Sequence, residues 1–406
     1  MPLFSSRFSH DLTPNRLLAA LAAKKSAGVD ILDLTESNPT RAGFTYDEAG
    51  ILRALANPEA MRYQPTPRGL LLARQAVADY YQSRGPRIDP DSIFLTASTS
   101  ESYAYLFKLL ADPGDEILLP QPGYPLFDLL TELESARPTR YALAYDGREG
   151  WRINFDSLRA AMSDKTAAIV VVNPNNPTGS YLKQEELAEL NRLCIERDLA
   201  LIVDEVFWDY ACRGADFPVR PALRAGKPAT TIATAVGNDG ALTFVVSGLS
   251  KIAGLPQVKL GWIQVNGPPA LAAQAQSRLE FIADTYLSVS ASAQHAAADL
   301  LAGRAVIQNQ IAARAEDNFS YLRAQCAGSG RCRALIREGG WYAVLEIPYA
   351  MSDDDAAYQL LERDDVFTHP GYFFDFDQHN VLVVSLLTSR TVFEEGVARM
   401  MRRLGT

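Results

Sequence analysis

Cysteine is scarce in this chain of 406 residues: Cys194, Cys212, Cys326 and Cys332 are all there is, with no C-x-x-C pair among them. That spacing argues against both a disulfide frame and a thiolate zinc site, and predicts reduced thiols in a cytoplasmic protein. Histidine is equally scarce. His10, His295, His369 and His379 stand singly, which argues against a histidine-built metal centre. Positive charge is in deficit as well: 39 Lys and Arg against 48 Asp and Glu give a formal net charge of -9 and a pI of about 5.1. Neither nucleic acid nor an anionic membrane surface is therefore the expected partner. No apolar run approaches the roughly 18 residues needed to cross a bilayer. The opening "MPLFSSRFSHDLTPNRLL" lacks the basic start and apolar centre of a secretion signal. These absences lead to the expectation of a soluble, cytoplasmic protein.

What is present is ordinary globular material, 48 % hydrophobic and 21 % charged, long enough for two or three folding units of about 150 residues. "TPNRLLAALAAKK" predicts a helix opened by Thr13 with Pro14 in its first turn. "RGLLLARQAVADYYQSRG" predicts a second, ending at Gly85. Short apolar runs then alternate with helical periodicity: "DSIFLTA", "DEILLP", "TAAIVVVN", "LALIVDE", "ALTFVVS" and "VKLGWIQV" read as strands. Strands apolar on both faces and separated by helices predict an α/β fold whose mostly parallel sheet is covered by helices. After about residue 265 helices dominate, followed by an α+β tail. We expect a large domain over 51–300, a small α+β domain over 301–406, and an arm over 1–50 that joins the small domain.

Open parallel sheets gather ligands just beyond the carboxyl ends of their strands. There this sequence puts "STSES" (98–102), "NPNNPTG" (173–179), "DEVFWDY" (204–210) and "SGLSKIAGLPQVKLGW" (247–262). Ser98 and Glu101 fit the capping box S-x-x-E, and a helix start with three hydroxyls offers free N–H groups to an anion; the plain alternative is a capped helix. "NPNNPTG" reads as a tight turn with Asn176–Pro177 open to the cis form. Asp204 follows the apolar run "ALIV", where a carboxylate is disfavoured unless paired. Its bland role is a cap or ion pair, its functional one a partner for a heteroaromatic cation. Lys251 and Lys259 stand in a stretch otherwise made of glycine, proline, serine, glutamine and apolar residues, and a buried lysine loses its proton readily.

Taken in order, "YQPTPRG" (63–69), "TASTSES" (96–102), "PQPGYP" (120–125), "NPNNPTG", "DEVF", "SGLSK" and "EGGWYAVLEIP" (338–348) resemble the fold-type I pyridoxal-phosphate-dependent aminotransferases of the class I/II family. The resemblance implies the pyridoxal-phosphate transferase fold and pyridoxal 5′-phosphate as cofactor. It implies Lys251 as the Schiff-base lysine and general base, and Asp204 under the pyridine nitrogen. Asn176 would donate to the ring hydroxyl and help bind substrate, and Tyr124 would stack on the ring. Ser98, Thr99, Ser100, Ser250 and Lys259 would surround the phosphate. Tyr63 would reach the neighbouring subunit's site, which implies a homodimer. The activity implied is ping-pong transfer of an amino group between an amino acid and a 2-oxo acid.

Five departures accompany the match, one of them "SNP" (37–39) in place of the more usual glycine-led loop beside the substrate, which predicts a narrower pocket. Lys259 stands where arginine is usual and cannot form a bidentate fork. Gly248 stands where a phosphate-binding serine is common. Phe207 replaces a tyrosine that donates to the ring oxygen, which predicts a Schiff-base nitrogen that keeps its proton to higher pH. Val383 occupies the place of the carboxylate-binding arginine, leaving Arg41 as the preferred substitute and Arg390 as the second. The missing arginine keeps a C–S β-lyase, a decarboxylase or a cyclopropane-forming synthase of the same fold as alternatives. A non-catalytic cofactor-binding regulatory module is a further one, and specific DNA binding would separate it from the enzymes.

Overall fold

The computed structural model describes residues 3–5, 7, 13–83, 85, 87–212, 233–377 and 380–405; His10 and His379 lie outside them. Eight strands form the large sheet: β1 Ile93–Thr96, β2 Glu116–Gln121, β3 Arg137–Asp146, β4 Gly150–Ile153, β5 Thr166–Val172, β6 Ala200–Asp204, β7 Thr243–Gly248 and β8 Gly261–Asn266. They lie in the order β1-β8-β7-β6-β5-β2-β3-β4. β7, β6, β5, β2 and β3 run parallel, while β8 is antiparallel to both of its neighbours and β4 to β3. All six strands expected from the apolar runs are present and the sheet is mostly parallel.

Successive side chains on a strand face opposite ways, and here each face has its own core. Ile169, Val171, Leu201, Val203 and Val245 enter one cluster with Ala73, Val77, Leu187 and Leu190 of flanking helices. Ala168, Val170, Ala200, Ile202, Phe244 and Val246 enter the other with Leu106, Phe107 and Leu279. Covering on both faces explains why these strands read as unbroken apolar runs. The pair β3–β4 was not expected. β3 is an outer strand with just Tyr141 fully buried, so its sequence carries charges that hid its period.

A four-stranded antiparallel sheet follows, with β9 Arg333–Ala334, β10 Tyr342–Glu346, β11 His369–Pro370 and β12 Val381–Ser385 in the order β9-β10-β12-β11. Its core takes Leu17 and Leu34 from the beginning of the chain together with Phe319, Leu345, Leu382, Phe393 and Met400. Leu32–Asp33 also pairs in parallel with Val366–Phe367. The helix Arg304–Ser329 runs past both regions, burying Ile307 and Ile311 beside Phe207 and Trp341, and Ala315, Phe319 and Leu322 in the core at the chain ends.

The first helix spans Arg16–Ser26, and its cap is Asn15, whose Oδ1 accepts the Leu18 N–H at 2.9 Å. Thr13 and Pro14 therefore precede it, a correction of the expected start. The second helix spans Leu71–Gln82 and closes at Ser83, not at Gly85. No helix among the described residues is long and apolar enough to cross a membrane, and the four cysteines are free and buried.

Candidate functional site

Parallel neighbours β5, β6 and β7 end at the same edge of the sheet. Because β8 is antiparallel to both β7 and β1, the carboxyl end of β1 lies there too. These ends surround a cavity of about 200 Å³ lined by Ser37, Ser98, Thr99, Ser100, Tyr103, Tyr124, Phe127, Asn176, Asp204, Phe207, Gly248, Ser250, Lys251, Gly261 and Tyr342, among others. A larger hollow of about 610 Å³, bordered by Tyr46, Arg53, Asp299 and Arg304, holds none of these groups.

Asp204 closes β6 and is buried. Its Oδ1 accepts the Val206 N–H at 3.0 Å and its Oδ2 accepts the Tyr103 hydroxyl at 2.9 Å. Burial pushes its pKa up to about 6, against the pull of those two donors and of Lys251. Lys251 sits on the short helix Leu249–Ile252 directly after β7. Its backbone oxygen accepts the Tyr210 hydroxyl at 2.6 Å. Its Nζ lies 5.1 Å from the Trp341 ring centroid and 5.5 Å from that of Phe207. Burial lowers its pKa, partly offset by Asp204. A proton acceptor and a cationic-nitrogen partner thus occupy neighbouring strand ends.

The turn after β5 holds Asn176, buried, with Oδ1 lacking a hydrogen-bond partner. Asn173 and Asn175 take up the turn's own needs: Asn173 bonds the Ala233 oxygen and the Leu182 N–H, and Asn175 Oδ1 accepts from Thr178. Asn176–Pro177 is cis, as are Asn173–Pro174 and Gln121–Pro122. Glu205, beside Asp204, is saturated by the Thr234 hydroxyl, the Ala235 N–H and Asn173, which leaves it a structural group.

The helix Thr99–Leu110 starts at the cavity. Ser98 caps it by accepting the Glu101 N–H at 3.2 Å, while Glu101 turns its carboxylate to the Ala97 N–H at 2.6 Å. Thr99 and Ser100 remain in the first turn beside the cavity, where N–H groups and hydroxyls together suit an anion. Gly248 and Gly261 face one another across β7 and β8. A Cβ at Gly248 would stand 2.9 Å from the Leu260 oxygen and 3.0 Å from the Gly261 Cα. The close backbone approach accounts for the glycine found where a serine was expected.

Three residues expected at this site, Lys259, Arg41 and Arg390, do not line the cavity, and Tyr63, expected at the neighbouring subunit's site, lies apart from it. Lys259 is exposed in left-handed backbone (φ 58°) beside Leu260, which does line it. Tyr63 is 81 % exposed and borders a different hollow with Gln64, Tyr105 and Val289. Arg41 is exposed and its Nε lies 3.4 Å from Glu36. Arg390 starts an outward helix, paired with Glu394 at 2.6 Å. Long side chains prefer water and exposed carboxylates, and sequence spacing alone does not reveal that choice. Val383 is buried in the apolar cluster around Phe374 and Phe376. Conversely, Tyr103, Phe127 and Tyr342 line the cavity without having been singled out, while Ser37 of "SNP" does border it. Tyr103 carried a signal, being one helical turn after Thr99.

Residues 29–398 match the family model described as aminotransferase class I and II. Among curated relatives, the glutamate-pyruvate aminotransferase AlaA of Escherichia coli (strain K12) is 30% identical over 282 residues, 68% of this chain and 64% of the relative. An alanine aminotransferase of Mycobacterium tuberculosis (strain ATCC 25618 / H37Rv) is 30% identical over 295 residues, 71% of this chain and 64% of the relative. The match thus spans just under two thirds of these relatives' length. Among solved structures, alanine aminotransferase from Pyrococcus furiosus superposes with a TM-score of 0.85 at 22% identity, covering 99% of each chain, a likeness of fold.

Proposed function

This chain belongs to the aminotransferase class I and II family, and from that premise we propose that it moves an amino group between an amino acid and a 2-oxo acid, using pyridoxal 5′-phosphate held in the cavity at Lys251. The observation that carries the reading is the placement of Asp204 and Lys251 on adjacent strand ends in one cavity. The remaining lining suits the same cofactor. Asn176 brings a buried amide oxygen without a partner, Tyr124 an aromatic face, and Gly248 and Gly261 a close approach of two strands at the cavity floor that a Cβ would push apart. When bound, pyridoxal 5′-phosphate supplies an aldehyde that condenses with primary amines and a ring that takes up the electron pair of a broken C–H bond.

This chain's own groups do the rest. Asp204, ionised, holds a proton on the ring nitrogen. Asn176 fixes the ring hydroxyl and the amino substrate, and Tyr124 covers the ring. Thr99, Ser100 and Ser250, with Ser98 as the cap, bind phosphate at the helix start, and Lys259 adds charge from the rim. Lys251, desolvated and so more readily neutral, moves the proton from the substrate's α-carbon to the cofactor's carbon. Phe207 and Trp341 offer ring faces to its nitrogen and exclude water from it. Tyr63, exposed beside Met61 at 89 % exposure, belongs to a surface that a second copy covers, giving a homodimer. The arm, large domain and small domain divide at about residues 50 and 300. The buried free thiols support a cytoplasmic location.

The test is borohydride reduction of the chain loaded with pyridoxal 5′-phosphate, followed by peptide mapping. Label at Lys251, its loss in Lys251→Ala, and conversion of the cofactor's aldehyde to a primary amine by an amino acid alone, with release of the matching 2-oxo acid, support the reading. Label elsewhere, or full turnover in Lys251→Ala, refutes it. Because the relatives are named for alanine, glutamate and pyruvate, those are the first substrates to screen.

A further inference from the structure

Tyr103 is a polar cavity residue for which the motifs provide no role. It lies one turn after Thr99 on the helix Thr99–Leu110, so its phenol and the first-turn hydroxyl share a helix face. It is buried at 2 % exposure, and its hydroxyl donates to Asp204 Oδ2 at 2.9 Å. The ring itself is fixed: Phe127 meets it edge-on at 5.3 Å and 79°. The same Phe127 meets Tyr124 at 5.6 Å and 86°. One phenylalanine thus braces both the donor to Asp204 and the aromatic wall of the cavity. With Val206 N–H on Oδ1 and Tyr103 on Oδ2, rotation of the carboxylate is arrested from two sides.

We infer that Tyr103 is a positioning residue: its phenol locks Oδ2 of Asp204 so that the carboxylate is presented, as an acceptor, to a cationic ring nitrogen in the cavity. This rests on the cofactor reading above. A phenol can donate to an ionised carboxylate with a strong, charge-assisted bond, and such a bond favours the ionised form. Burial opposes it. The titratable groups facing Asp204 are Tyr103 from the helix, Lys251 from the segment after β7, and Tyr124 from the loop after β2. Of these, Tyr103 makes the direct hydrogen bond among the described residues, and burial together with Asp204 raises its own pKa, so it stays a donor. A purely structural role, in which the phenol merely satisfies a buried carboxylate, predicts the same fold but no control of its ionisation.

The test compares the full chain with Tyr103→Phe, which keeps the ring packing. Carbonyl-labelled aspartate followed by NMR in the ligand-free protein, with Asp204→Asn identifying the resonance, reads the titration midpoint directly. The midpoint rises by about one pH unit in Tyr103→Phe, tenfold in proton affinity. 3-Fluorotyrosine placed at position 103, a stronger donor, moves it down. Pyridoxal 5′-phosphate, titrated by fluorescence, binds the Tyr103→Phe chain about fivefold more weakly at pH 6 and within about twofold at pH 8. An unmoved midpoint, or equal weakening at both pH values, overturns the inference. If the wild-type chain takes up no pyridoxal 5′-phosphate, the functional reading falls, and the ligand-free midpoints still decide whether Tyr103 controls Asp204.

Discussion

Asp204 should cost the ligand-free protein stability, and replacing it should return that stability with a defined dependence on pH. Its carboxyl is moved from 3.8 to about 6 by burial. At about 1.4 kcal/mol per pH unit this is about 3 kcal/mol of preference for the protonated form. Between those two values the folded state binds more protons than the unfolded, so stability falls as pH rises. The cost is absent below the unfolded value and complete above the folded one. Asp204→Asn, which cannot ionise, should therefore gain about 3 kcal/mol over wild type at pH 8, about half of that at pH 5, and nothing further once both forms are protonated. The asparagine's own hydrogen bonds add an offset that does not change with pH, so the slope is the decisive quantity. Urea unfolding of the ligand-free full chain at several pH values measures it. A stability difference flat in pH between 5 and 8 would refute the reasoning. In the holoenzyme the same substitution should lower turnover by orders of magnitude, because an amide cannot hold the ring-nitrogen proton by charge. Stability gained together with activity lost marks a group kept for function.

The buried pair Lys183–Glu338 ties the turn bearing Asn176 to the segment preceding Trp341 and Tyr342. Lys183→Met should cost about 3–5 kcal/mol in denaturant unfolding because it strands a carboxylate, and Lys183→Met with Glu338→Gln should recover part of this; additive losses would contradict the pairing. His369 is enclosed by Phe367, Phe373 and Phe374, and burial pushes its pKa down to about 4. A base held neutral loses stability as pH falls from 6.5 toward 4, so His369→Phe should remove about 2 kcal/mol of the decline between pH 7.5 and pH 5. An undiminished decline would show that other groups carry it. Phe207→Tyr adds a hydroxyl in the cavity beside the Lys251 nitrogen. The pH midpoint of the holoenzyme's visible absorbance should fall by about one unit, and an unchanged or higher midpoint would exclude the role inferred for the missing donor.

The readable parts of the sequence were those where a residue broke the local rule. A carboxylate after "ALIV" and a lysine after "FVVSGLS" conflict with their apolar neighbours, so Asp204 and Lys251 could be named from the strand pattern. Tyr103 breaks nothing. A tyrosine among Phe107, Leu106 and Tyr105 on an amphipathic helix reads as core, and its hydroxyl acquires meaning when Asp204 arrives from 101 residues away. Gly248 looked like a lost ligand, although the constraint is the Leu260 carbonyl and the Gly261 Cα on the adjacent strand. Arg41 and Lys259 lie outside the cavity lining for a different reason. Loop spacing set them near the right segments, but solvent draws both charges outward and a half-buried Glu36 pairs with Arg41. Strand β3 was missed because an outer strand with a half-wet face carries Arg137, Arg140 and Asp146, and these mask a period of two.

Comparison of the buried charges argues for what the cavity lacks in protein alone. Lys183 has Glu338 and the Tyr181 oxygen. Glu186 accepts the N–H groups of Ile153 and Lys183. Glu205 accepts from Thr234, Ala235 and Asn173. Each of these is satisfied by the chain, as buried charges must be. Asp204 and Lys251 are handled otherwise. Asp204 is held by two donors and raised by burial, as Glu186 is, but of these carboxylates Asp204 is the one that lines the cavity, and the amine meets the ring faces of Trp341 and Phe207 in place of a carboxylate or carbonyl. An unpaired Asn176 oxygen stands in the same cavity. Under-satisfied polar groups of three kinds converging on one apolar-backed hollow are costly for a fold to keep. That cost is offset when one molecule carrying a cationic ring N–H, a hydroxyl able to donate and a carbonyl meets all three at once. On this argument, saturating pyridoxal 5′-phosphate should raise the denaturation midpoint of the wild-type chain and raise that of Asp204→Asn much less, in proportion to the lost affinity. Equal stabilisation of both would mean that the cofactor draws its binding energy from elsewhere in the cavity.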